Sequence, residues 1–160
     1  NRKNLKIITK AHIKNINFDK KKAIGISYWK DNQLINLPLL GNIAAGNPIE
    51  AIENTNDNVQ VPKNLVSENK KNYVLKINGD SMLNKGIVDG DKAIIEYCND
   101  ADNGDIVVAL INDNEVTLKK LKKEKDKIHL IPENDNYKAQ SFNSDEVKIQ
   151  GKLKGIIRSY

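Results

Sequence analysis

Residues 78–91 read NGDSMLNKGIVDGD, from Asn78 to Asp91, with two Gly-Asp turns bracketing one serine. The run follows Tyr73–Ile77, a strand-prone stretch rich in β-branched and aromatic residues. A serine placed directly after a Gly-Asp turn sits where the chain bends sharply. Its hydroxyl is then exposed, and backbone N–H groups converge beside it. Ser81 is therefore a candidate nucleophile with its own oxyanion site. The same residue types also build plain turns, so the stretch needs chemical partners elsewhere in the chain.

Outward from this run the pattern is one of short β-prone segments: Val59–Val61, Tyr73–Ile77, Ala93–Tyr97, Ile106–Ile111, Val116–Leu121, Ile128–Ile131, Val147–Ile149 and Leu153–Ile157. Turn clusters separate them at Asn78-Gly79-Asp80, Asp89-Gly90-Asp91, Asn103-Gly104-Asp105 and Asn112-Asp113-Asn114. Turns spaced by about 8–12 residues predict a mostly β domain, a sandwich or partly open barrel.

Two further segments carry chemistry. Glu115–Leu121 reads EVTLKKL. A buried lysine loses charge and serves a serine as general base. Strand alternation puts Thr117, Lys119 and Leu121 on one face and Val116, Leu118 and Lys120 on the other. Alternation does not choose between the two lysines. Leu37–Pro48 reads LPLLGNIAAGNP, a small-residue stretch able to enter a narrow cleft as substrate or to serve as a linker turn.

Composition narrows the class. With 39% hydrophobic and 29% charged residues the chain reads as a globular protein rather than a disordered one. No apolar run nears the roughly 18 residues of a membrane span, and no signal-peptide apolar region opens the chain. The single Cys98 leaves no internal disulfide and fits a reducing cytoplasm. With only His12 and His129 beside it, a metal site is not expected, nor is any cofactor. Residues 1–36 hold nine basic and two acidic residues, a net +7, whereas the whole chain carries +5. A basic end on a near-neutral body suggests that the end alone meets a polyanion. Within it, Asn4–Ala11 reads as a helix end, His12–Phe18 and Ile24–Trp29 as a basic hairpin, and Lys30–Asn36 as a polar linker. Opening on Asn1 instead of Met, the chain reads as a fragment.

Taken together and in order, Leu37–Pro48, Asn78–Asp91, Glu115–Leu121, Leu130–Asn134 (LIPEN) and Gly155–Arg158 (GIIR) resemble the LexA family of self-cleaving repressors and their processing relatives. The resemblance covers most of residues 37–160. It implies a Ser/Lys-dyad peptidase and dimerisation domain at 37–160, preceded at 1–36 by the end of a winged-helix DNA-binding domain. It assigns Ser81 as nucleophile, Lys119 as base, the backbone N–H groups of Asp80 and Ser81 as oxyanion donors, and Ala45–Gly46 as the scissile bond. Asp80 departs from the small or apolar residue often found before the serine. The partners implied are a second copy of the chain in a homodimer joined near Leu153–Ile157, operator DNA, and a RecA–single-stranded-DNA filament. The chain's own cleavage loop is the implied substrate. A UmuD-like polymerase subunit has a shorter arm before its cut than the 45 residues here. A phage-type repressor answering to an antirepressor is the other relative. Signal peptidases share the dyad but require a membrane anchor.

Overall fold

The computed structural model describes residues 12–19, 22–29, 33–40 and 57–159. Strands β1 (His12–Asp19) and β2 (Lys22–Trp29) pair antiparallel as a hairpin of their own, as the sequence leads one to expect. The helix end read at Asn4–Ala11 lies outside the described residues.

The remaining strands form one nine-stranded sheet. They are β3 (Leu34–Leu40), β4 (Asn58–Pro62), β5 (Asn72–Lys76), β6 (Lys92–Glu96), β7 (Ile106–Ile111), β8 (Glu115–Glu124), β9 (Lys127–Ile131), β10 (Gln140–Asn143) and β11 (Val147–Ile157). Their spatial order is β10-β9-β8-β7-β11-β6-β5-β3-β4. Every pairing is antiparallel except β3 with β5, where Leu39 faces Val74 and Leu40 faces Leu75.

Alternation along the strands builds three apolar clusters. On β7, Val107, Ala109 and Ile111 face one cluster with Leu121, Leu130, Val147 and Ile149. Val108 points the other way, into a central cluster with Tyr73, Leu75, Ala93 and Ile95. On β5 and β6, Val74 and Ile94 turn to a third cluster with Leu37 and Val61. The central cluster thus joins the β5–β6 half of the sheet to the β7–β8 half. Each aliphatic side chain fully buried there contributes about 1.5–3 kcal/mol.

Strand β11 ties the halves together covalently. Its first half pairs with β7, from Val147 opposite Ile111 to Lys152 opposite Val107, and its second half with β6, ending with Ile157 opposite Lys92. At the crossover Gly151 is obligatory: a Cβ there would lie 2.4 Å from Ile95 Cγ2 and 2.8 Å from the Glu96 carbonyl. The Tyr73 hydroxyl donates to the neighbouring Gln150 carbonyl at 3.0 Å.

Two readings of the sequence need correction, and one strand has no counterpart among them. Leu34–Asn36 is the start of β3 rather than linker. Val147–Ile149 and Leu153–Ile157 are one strand, interrupted in the sequence only by the polar and glycine residues of the crossover. Strand β10, polar apart from the half-buried Phe142, carries no apolar signal of its own.

The Glu96 side chain is buried at the end of β6 and accepts hydrogen bonds from Lys70 Nζ at 2.8 Å and from the Ser67 hydroxyl, with Lys154 3.5 Å away. The Lys70 and Ser67 bonds outweigh the desolvation cost and bring its pKa down to about 2, from an ordinary 4.5. A carboxylate with a depressed folded-state pKa stabilises fully above the unfolded value and loses that contribution as pH falls through the folded one. Urea unfolding at stepped pH is expected to show stability dropping between pH 4.5 and 2. Glu96→Gln should shrink that drop and cost about 2 kcal/mol at neutral pH.

Candidate active site

Ser81 follows β5 on a tight turn whose geometry is set by Gly79. That residue has φ +88°, a left-handed conformation in which an L side chain is strained. Its N–H donates to Asp89 Oδ1 at 2.8 Å, which ties the first Gly-Asp turn to the second. Beyond the serine, Met82 and Ile87 are buried and pin the turn to the core. Leu83 N–H closes onto the Asp80 carbonyl at 3.0 Å. Ser81, between Asp80 and the buried Met82, stays half-buried with its hydroxyl turned to β8.

The second Gly-Asp turn is held by Arg158 at the end of β11. Its Nε donates to Asp91 Oδ1 at 2.6 Å and its Nη2 to Oδ2 at 2.7 Å and to the Gly86 carbonyl at 2.7 Å. Val88 N–H also donates to Asp91 Oδ2 at 2.9 Å. The Asp91 side chain is fully buried, and the Arg158 bonds hold its carboxyl below the ordinary carboxylate range. The GIIR segment therefore acts at a distance in sequence on the NGDSM…DGD run.

Lys119 Nζ comes within 2.8 Å of Ser81 Oγ. It also lies 2.7 Å from Thr117 Oγ1 and 3.1 Å from the Leu118 carbonyl. Three partners suit either form of the amine. An ammonium donates to all three; a neutral amine donates to Thr117 and Leu118 and accepts the Ser81 proton on its lone pair. Burial lowers the Lys119 pKa from its ordinary value, while the charge of Glu115 works against that shift. A cleft of about 260 Å³ runs beside the pair, walled by Leu75, Ile77, Val116 and Leu118. Those apolar walls are the source of the desolvation.

The structure separates the two lysines that alternation left open. Lys120 points to the opposite face, where its Nζ pairs with Glu133 at 3.0 Å. Asp80 is brought into the same turn as Ser81, with its side chain bonded to Asn134 and Tyr137. Ala45 and Gly46 lie outside the described residues. Three contributors went unnoticed in the sequence. Thr117 was placed on the Lys119 face without a role, Asn134 closed the LIPEN stretch unremarked, and Tyr137 carried no signal.

Comparison with known proteins shows the family. Residues 38–154 match the family described as Peptidase S24-like. Similar curated proteins include the LexA repressor of Clostridium novyi (strain NT), 51% identical over 128 residues, covering 80% of this chain and 62% of that protein. The LexA repressor of Clostridium perfringens (strain SM101 / Type A) is 49% identical over 131 residues, 82% of this chain and 63% of its own length. That of Cereibacter sphaeroides (strain ATCC 17029 / ATH 2.4.9) is 48% identical over 126 residues, 79% and 56% respectively. The chain thus spans somewhat over half the length of the relatives it matches. Among the described residues no helix is long and apolar enough to cross a membrane.

The opposing effects on Lys119 give a directional test. Removing the Glu115 charge takes away the influence that favours the ammonium, so Glu115→Gln is expected to lower the Lys119 pKa further. Titration of the lysine side-chain carbon resonances by NMR measures it, and an upward shift would contradict this account of the site.

Proposed function

This chain belongs to the Peptidase S24-like family, and we propose that it is the self-cleaving part of a LexA-like SOS transcriptional repressor. In this reading the Ser81–Lys119 dyad cuts the chain's own Ala45–Gly46 bond and so detaches a DNA-binding portion from a dimerising body. The observation that carries it is the 2.8 Å contact between Lys119 Nζ and Ser81 Oγ.

The chemistry follows from the amine's protonation state. Neutral Lys119 takes the Ser81 proton as Oγ attacks the Ala45 carbonyl carbon. Negative charge collects on the carbonyl oxygen, and the backbone N–H groups of Asp80 and Ser81 receive it. As the C–N bond breaks, the Lys119 ammonium returns its proton to the departing Gly46 amine. Water then attacks the Ser81 ester and gives a proton to Lys119, which passes it to Ser81 Oγ as the C–Oγ bond breaks, leaving an acid at Ala45 that ionises to the carboxylate.

Topology supports the choice of bond. Strands β3 and β5 run parallel and side by side, so the chain leaving Leu40 and the chain leaving Lys76 depart from the same end of the sheet. In sequence Ser81 comes five residues after Lys76, and Ala45 five residues after Leu40. Five extended residues reach at most about 17 Å.

The regulation extends the same reading. The basic hairpin β1–β2 is the remaining edge of a winged-helix domain that contacts operator DNA in the cytoplasm. A homodimer would add avidity for two half-sites, and cleavage would abolish it. A RecA–single-stranded-DNA filament is the stimulus.

Incubation at mildly alkaline pH, followed by mass spectrometry, is expected to yield residues 1–45 and 46–160. By proportion of the 18.0 kDa chain these weigh about 5 and about 13 kDa. Ser81→Ala and Lys119→Ala should each slow cleavage at least about a thousandfold, whereas Lys120→Ala should leave it in place. A cut at another bond, or equal loss in Lys120→Ala, would overturn the assignment.

A further inference from the structure

Residues 132–137 follow β9 and lie against the turn that carries Ser81. Glu133 N–H donates to the Ser81 carbonyl at 2.9 Å, and Asn84 N–H donates to the Glu133 carbonyl at 2.7 Å. Asn134 is buried, and its Nδ2 donates to the Asp80 carbonyl at 2.9 Å and to Asp80 Oδ2 at 3.3 Å. The Tyr137 hydroxyl donates to the other carboxylate oxygen, Asp80 Oδ1. Asn134 is fixed in turn: its Oδ1 accepts from Asn136 N–H at 3.0 Å, and its carbonyl accepts from Tyr137 N–H at 3.1 Å. Both oxygens of Asp80 are thus bonded by one loop.

Asp80 is an awkward residue for this position. Its backbone N–H is one of the two groups assigned to receive the oxyanion, yet its side chain carries a negative charge. A carboxylate free to swing toward that oxygen opposes the charge developing there, most strongly where water is thinned out. A carboxylate held at both oxygens by donors on the far side keeps its charge delocalised into those bonds. It also stiffens the turn, because Asn134 grips the Asp80 side chain and main chain with one amide.

We propose that Asn134 and Tyr137 clamp Asp80, and that Tyr137 is thereby a positioning residue for cleavage at Ser81. The inference rests on the Ser81–Lys119 reading and adds to it a loop far along the chain. The Tyr137 hydroxyl is suited to the task at alkaline pH. Its bond to the Asp80 carboxylate, together with that charge, raises its pKa above the ordinary 10.0, which favours the protonated, donating hydroxyl.

The test is the first-order rate of self-cleavage of the full chain across pH, for three forms. Tyr137→Phe is expected to be about tenfold slower than the unmodified chain, the loss of roughly one net hydrogen bond. The midpoint of its pH profile should stay where Lys119 sets it. In Asp80→Asn/Tyr137→Phe, with the charge gone, most of the rate should return. A purely structural role for Tyr137 gives no such rescue. Tyr137→Phe cleaving at the unmodified rate, a double variant no faster than Tyr137→Phe, or a shifted midpoint would each overturn the clamp. Cleavage that persists in Ser81→Ala overturns the dyad itself, and the clamp with it, so the two failures are told apart. Tyr137 is half exposed, and unchanged urea midpoints for the variants would exclude unfolding as the cause of a slower rate.

Discussion

The contact between Lys119 Nζ and Ser81 Oγ joins the turn after β5 to the middle of β8, on a cleft lined by residues of the central apolar cluster. Both ends must be placed by the sheet before any chemistry follows. Ser81 is positioned by Gly79, Met82 and Ile87, and Lys119 by its register opposite Val107 on β7. Closing the two halves of the sheet over Val108, Leu75 and Ile95 dries the cleft. That drying makes a charged lysine unfavourable. Packing thus shifts a protonation equilibrium, as the proposed use of Lys119 as a base requires.

The outlying polar contacts have a common sense when viewed from this pair. Arg158 reaches from the end of β11 to the buried Asp91, Asp89 receives Gly79 N–H, and the 132–137 loop grips Asp80 and the Ser81 carbonyl. Each restrains the turn from a different direction. The proposed nucleophile, Ser81, therefore sits on a turn outside the strand ladder that these contacts tie to the rest of the fold. Catalytic groups need this combination of exposed atoms and fixed placement.

Much of the fold was legible because apolar runs announced it. Ala93–Ile95 and Val107–Ile111 are buried on both faces and read as continuous hydrophobic stretches. The parts that did not announce themselves have specific causes. Pro38 argues against a strand, yet β3 tolerates it. Leu39 N–H points to β4 through Asp57, so the missing donor of Pro38 faces the other way, before pairing with β5 begins. Gly151 hid the continuity of β11, since the close approach of Ile95 and Glu96 is a tertiary demand. In the site, Ser81 stood out through its motif. The choice of Lys119 over Lys120 rests on resemblance, and in the structure it is Lys119 Nζ that meets the turn while Lys120 pairs with Glu133. Tyr137 acts through a fold-dependent contact, and no local pattern marks it.

The central claim is that the buried Lys119 is the base for Ser81. It is tested most directly by measuring two quantities on the same preparation: the Lys119 pKa, by titrating its side-chain resonance, and the pH midpoint of the self-cleavage rate. The account requires the rate to rise with pH and the two midpoints to coincide, below the ordinary lysine value of 10.5. A rate insensitive to pH, or a midpoint that leaves the Lys119 titration behind, would contradict it.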